Sequence, residues 1–241
     1  MFWYLEFLKC FACLGANVIK RVDGDSWAWD GWVPEFKEMP YSEKLGGILV
    51  YTKMTEDFAQ HLVAQEFGKE KVDELRSLWT QGLESIPEGA TEKEKYEVAY
   101  RNFMRKWMYS NNFMTVRQGE AGASKYMHAA MEEWRKKYAL DAAVLKFVGG
   151  FSRKAAFKML TKEMAYKLQV FSPYVVTEFK EDRMVLSVSP CKILQDRNGT
   201  NFCTFACQNI IPSWLESQFN VKMGLNRHED SCNVVFEPFK G

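Results

Sequence analysis

The segment Tyr174–Ser189, YVVTEFKEDRMVLSVS, decides the fold class. Two runs rich in β-branched residues, Tyr174–Phe179 and Arg183–Ser189, flank a short charged turn, KED, and this pattern predicts an antiparallel hairpin. Upstream of it the apolar residues recur at helical spacing. A helix is expected from Thr55 (TEDFAQHLVAQEFG), stopped by Gly68, and a second over Lys69–Glu84, ended by the Pro87–Gly89 turn. Thr91 and Glu94 make a T-x-x-E capping box that opens a long helix to about Tyr109. Further helices are expected over Ala121–Tyr138 and, capped by Ser152, to about Gln169.

Downstream of the hairpin the helical period returns from Thr200 to about Phe219, with Pro212 kinking or restarting it. NVKMGLN and SCNVVFEPF then supply a second pair of strands. The expectation is an α+β chain: a mainly helical part, residues 1–170, packed on a β-β-α-β-β module, residues 171–241, with an antiparallel sheet of about four strands. The two parts are compatible with one compact domain.

At 241 residues and 47% hydrophobic, the chain can bury a core without covalent staples. With 32 basic and 31 acidic residues it offers no electrostatic footprint for nucleic acid. The opening MFWYLEFLKCFACLGANVIK is interrupted by Glu6 and Lys9 and is too short an apolar run for a transmembrane segment; it reads as a packing helix, the alternative being a surface-lying membrane anchor through Phe2, Trp3 and Tyr4. It also lacks the pattern of a secretory signal, so the expected location is cytoplasmic. Its Cys10 and Cys13 form a C-x2-C outside any βαβ setting, which favours core packing.

Aromatic residues make up 15% of the chain, enough to line a ligand cavity as well as fill a core. Trp27, Trp29 and Trp32 lie in an irregular stretch, 23–47, and are expected to close over a pocket holding a small apolar or aromatic molecule; the alternative is a docking surface for a protein partner or a second copy.

Four cysteines, Cys191, Cys203, Cys207 and Cys232, are spaced C-x11-C-x3-C-x24-C in the module. Strand and helix ends of an antiparallel module can bring them together, as ligands of zinc or an iron–sulfur cluster, although the spacing lacks the paired C-x2-C knuckles of common zinc sites. Cys203, in the first turn of a helix capped by Thr200, is the expected nucleophile of a metal-free site, because backbone N–H groups there favour a thiolate. His228, four residues before Cys232, and Glu120, between glycines in QGEAG, are the candidate proton carriers. Ordinary core cysteines are the third alternative.

The run PCKI (190–193), FCTFAC before an amphipathic helix, and SCNVVFEP (231–238) resembles a loose superfamily containing 4-vinyl reductase-like small-molecule-binding domains and L-2-amino-thiazoline-4-carboxylic acid hydrolase-like proteins. The resemblance covers about the last seventy residues and places Cys191, Cys203 and Cys232 at the cysteine positions, with Cys207 as an extra one. It implies an α+β domain with a hydrophobic cavity and cysteines that bind metal or ligand or attack carbon. Three readings follow: a small-molecule-binding protein, plausibly an enzyme, with a metal-bound cysteine cluster; a metal-free cysteine hydrolase of a cyclic amide or thiazoline; and a non-catalytic binding or complex-assembly module.

Overall fold

The computed structural model describes residues 38–195 and 202–238. The expectations for Trp27, Trp29, Trp32, the Cys10/Cys13 pair and the Thr200 cap lie outside these residues. The chain is α+β, with helices first and an antiparallel sheet at the carboxyl end. All the described residues belong to one compact unit, Phe36–Gly241.

The first described helix, α1 (Tyr41–Phe67), begins fourteen residues before the expected Thr55, so the irregular stretch does not extend to Gly47. Gly46 and Gly47 read as loop residues in the sequence. Gly47 instead serves packing: a Cβ there would lie 2.8 Å from a methyl of Val170, so the helix runs tight against the start of the sheet module. Helix α2 (Lys69–Thr80) follows Gly68, whose φ of 94° suits a residue without a Cβ.

The capping box is made as expected. Thr91 Oγ1 accepts from the Glu94 N–H, and Glu94 Oε2 accepts from the Thr91 N–H at 2.8 Å, opening α3 (Glu92–Lys137). Two helices were expected here, over 91–109 and 121–138, and the structure joins them through a break at Gly119 (φ 60°, ψ −144°). The apolar period therefore changes phase at Gly119 without an intervening loop. The segment FVGGF, just ahead of the Ser152 cap, closes helix α4 (Ala139–Phe151). Ser152 then caps α5 (Arg153–Leu168), its Oγ accepting from the Ala155 N–H at 3.2 Å.

Strands β1 (Val175–Phe179), β2 (Met184–Val188), β3 (Val221–Arg227) and β4 (Cys232–Pro238) form one antiparallel sheet in the order β1-β2-β4-β3. Register pairs Leu186 with Val234 and Leu225 with Val234, so alternate residues Met184, Leu186, Val188, Cys232, Val234 and Phe236 share the buried face. That face joins the helices in one hydrophobic core.

Between β2 and β3 lie a one-turn helix, α6 (Lys192–Gln195), a π-helical segment, Cys203–Ile210, and α7 (Ile211–Phe219). Pro212 explains the wider turn. It has no N–H, and in an α-helix its ring would press on the carbonyl four residues back. The π-helical turn relieves this, as the Ile211 N–H reaches the Ala206 carbonyl five residues earlier.

A candidate thiol site beside an aromatic seam

Strand β2 ends at Val188, opposite Cys232 on β4, and the chain then turns so that the Cys191 N–H donates to the Asp230 carbonyl at 2.7 Å. This carries Cys191 back alongside Cys232. Cys191 also precedes α6, where its carbonyl accepts from Leu194 and its sulfur faces the N–H groups of Leu194 and Ile193. Ser172 braces the turn: its Oγ lies 3.8 Å from Cys191 Sγ and accepts from the Lys192 N–H at 3.0 Å. Cys191, Cys203 and Cys232 are buried and Cys207 is half-buried; all four are free thiols.

The sulfurs act in two pairs. The neighbouring Cys232 thiol is the first cause that draws the Cys191 pKa down, to about 6, with burial opposing and the Leu194, Ser172 and Ile193 donors adding to it. The same pairing pushes the Cys232 thiol far up. The neighbouring Cys207 thiol is the first cause that lowers Cys203, to about 7, against burial, with the Arg227 charge helping and the Cys191 charge opposing. Cys207 is raised well above its ordinary value, first by that pairing and then by burial. The Cys191 charge also opposes ionisation of Cys203, and the Cys203 charge that of Cys232, so the two pairs influence each other. Among the described residues no group of three or more His, Cys, Asp or Glu side chains is arranged to hold a metal ion.

Cys191 and Cys203 are the two sulfurs drawn down, each first by its neighbouring thiol. Cys191 gathers more donors.

His228 sits exposed in the β3–β4 turn, its N–H donating to the Ser231 carbonyl at 2.8 Å. The outside charge that reaches Cys203 is that of Arg227, paired in register with Cys232, and not His228. Glu120 is exposed at the Gly119 break in α3. Its glycine neighbours serve the backbone, since a Cβ on Gly122 would fall 2.2 Å from the Met114 carbonyl oxygen. Neither residue joins the thiol group. Sequence reasoning missed Ser172 and Arg227; the adjacency of Arg227 to His228 in LNRHED was the available signal.

The π-helical segment connects the thiols to a second feature. Cys203 and Cys207 lie on one stripe, and Phe202, Ala206 and Ile210, one residue earlier in register, line a cavity of about 10 Å³ together with Met54, Phe103 and Trp107. A second cavity of about 30 Å³ is lined by Tyr138, Met164, Lys167 and Trp214. Tyr51, Trp134 and Phe171 wall both, making one aromatic seam. Ring contacts run along it: Trp107–Phe202 at 5.0 Å, Phe202–Phe171 at 5.9 Å, Phe171–Tyr51 at 5.1 Å and Tyr51–Trp134 at 5.6 Å.

At its far end the Tyr51 and Tyr138 hydroxyls share a hydrogen bond of 2.8 Å, and the Lys167 ammonium lies 4.4 Å from the Tyr138 ring centre. Lys167 also pairs with Glu163 at 3.1 Å and Asp141 at 3.4 Å. Burial works against the ammonium, but Glu163, Tyr51 and Asp141 outweigh it and hold the Lys167 pKa above its ordinary value. Burial raises both phenols.

Among the described residues no helix is long and apolar enough to cross a membrane. No family model matches the chain, and no curated protein matches it. Among solved structures, the Fe(II) unliganded H-NOX protein from K. algicida is similar with a TM-score of 0.34 at 10% identity, over 80% of this chain and 96% of that one.

Proposed function

We propose that the protein binds a small molecule in the aromatic seam and carries beside it a thiolate site in which Cys191 is the reactive sulfur. What supports this reading is the pairing of Cys191 with Cys232 and of Cys203 with Cys207, each pair feeling the other's charge, and a π-helical segment that carries Cys203 and Cys207 while it lines the seam. Core cysteines used only for packing need no S–H donors, whereas here each acidic sulfur has a thiol donor, and Cys191 has a hydroxyl and two backbone N–H groups as well. The chemistry that suits Cys191 is attack on a carbon electrophile, with Cys232 as the hydrogen-bond donor that holds the sulfur anionic.

A second reading is favoured by the mutual charge coupling of all four sulfurs: the two pairs close around one zinc ion, or hold an iron–sulfur cluster, as a tetrathiolate. The donor chemistry suits such an ion, while the side chains as placed would have to draw together.

Protein purified without oxygen separates the two. The nucleophile reading expects no stoichiometric metal and alkylation of Cys191 first, at one label per chain. Stoichiometric zinc, or iron with acid-labile sulfide, together with thiols that resist alkylation until a chelator is added, would replace it with the metal reading.

A further inference from the structure

The walls of the seam are mostly aromatic and aliphatic; besides Thr55, Lys167 and the indoles of Trp134 and Trp214, their polar groups include two that can donate to a ligand. Trp107 is 3% exposed, lines the smaller cavity, and its indole Nε1 has no hydrogen-bond partner among the described residues. A buried N–H left unpaired costs about 1–3 kcal/mol, so such a group calls for an acceptor. At the larger cavity the Tyr51 and Tyr138 hydroxyls are joined by a single hydrogen bond. Two phenols contribute two O–H hydrogens; one bond uses one of them, and the other is left for a further acceptor.

Charge is settled locally. The Lys167 ammonium at the same cavity already faces Glu163 and Asp141, so the seam offers a ligand no net positive charge. Trp107 at the smaller cavity and the Tyr51–Tyr138 pair at the larger thus each offer a donor, with rings between them.

From this pattern we infer that the seam takes a neutral, flat aromatic molecule bearing hydrogen-bond acceptors, such as carbonyl oxygens, at opposite ends: one accepts from Trp107 Nε1 and the other from the Tyr51–Tyr138 hydroxyl pair. The cavities of about 10 and 30 Å³ hold roughly one water each or a little more, far less than a ring compound requires, so the walls withdraw on binding. Each cavity has a methionine for this, Met54 in the smaller and Met164 in the larger, with three rotatable side-chain bonds each. The inference rests on the reading of the seam as a small-molecule site and adds the chemical class of what fills it.

Titration calorimetry with three unreactive probes tests it: 1,4-diacetylbenzene with two acceptors, acetophenone with one, and 1,4-diethylbenzene with none. The expected affinities fall in that order, by about fivefold to tenfold for each acceptor removed, the worth of one buried hydrogen bond. Trp107→Phe and the double variant Tyr51→Phe/Tyr138→Phe should each weaken 1,4-diacetylbenzene by the same factor and leave 1,4-diethylbenzene unchanged, the hydrocarbon reporting that the seam is still formed. Equal or tighter binding of the hydrocarbon, no saturable binding of any probe, or an equal loss of all three probes in both variants would overturn the inference. If the ketones fail to bind while Cys191 keeps its reactivity, this inference falls and the thiol site stands.

Discussion

Cys191 shows how a single residue acquires chemistry from a turn. Its backbone N–H is fixed by the Asp230 carbonyl, its sulfur by Cys232, and Ser172 spans the two by touching the sulfur and accepting from Lys192. Ser172→Ala removes that brace and leaves the Lys192 N–H without its acceptor, which is expected to cost about 1–3 kcal/mol. The same change removes one of the donors that hold the Cys191 thiol down, so its pKa should move up from about 6. Urea denaturation checks the first effect, and alkylation rate against pH the second. A variant as stable as the parent would show that another group satisfies Lys192. The sequence marked Cys191 as a candidate ligand but gave no sign of Ser172, which lies nineteen positions earlier and meets it only through the fold.

At the scale of elements, the decisive local features are places where a regular helix gives way. Pro212 widens the turn before it, and that π-helical turn aims Phe202 and Ala206 at the seam while Cys203 and Cys207 face the other thiols. In α3 the break at Gly119 lets one long element bend, and Gly122 makes close passage of the Met114 carbonyl possible. Gly122→Ala should destabilise the protein by about 1–3 kcal/mol, because the contact is with backbone and not with a side chain that can swing away. Thermal melting measures this, and an unchanged melting temperature would mean the break relaxes freely.

The strands, the capping box and the Ser152 cap were legible because each is a short-range pattern: β-branched runs, T-x-x-E, a serine before a helical period. The early start of α1 and the helical FVGGF were not, since Gly46, Gly47, Gly149 and Gly150 act there as small residues in packing or on an exposed helix, and sequence alone reads paired glycines as loops.

Across the described residues of the unit Phe36–Gly241, an antiparallel sheet in the order β1-β2-β4-β3 sets the β2 exit and the start of β4 side by side, and the intervening helical segment closes over them. That topology sets Cys191, just past the β2 exit, beside the start of β4, where Cys232 lies 41 positions later. The acidity of a sulfur there depends on donors supplied by tertiary contacts, which linear spacing does not carry.

The most direct test is the pH dependence of alkylation, with the labelled cysteine identified by mass spectrometry, in the parent and in Cys232→Ala. A thiol whose pKa is depressed reacts as the anion above that pKa, so Cys191 should label with a midpoint near pH 6, ahead of Cys203 near 7. In Cys232→Ala the lost S–H donor should move the Cys191 midpoint up toward the free value of about 8.5. A Cys191 midpoint already at or above about 8.5 in the parent, or one that does not move in the variant, would contradict the account of a shared thiol site.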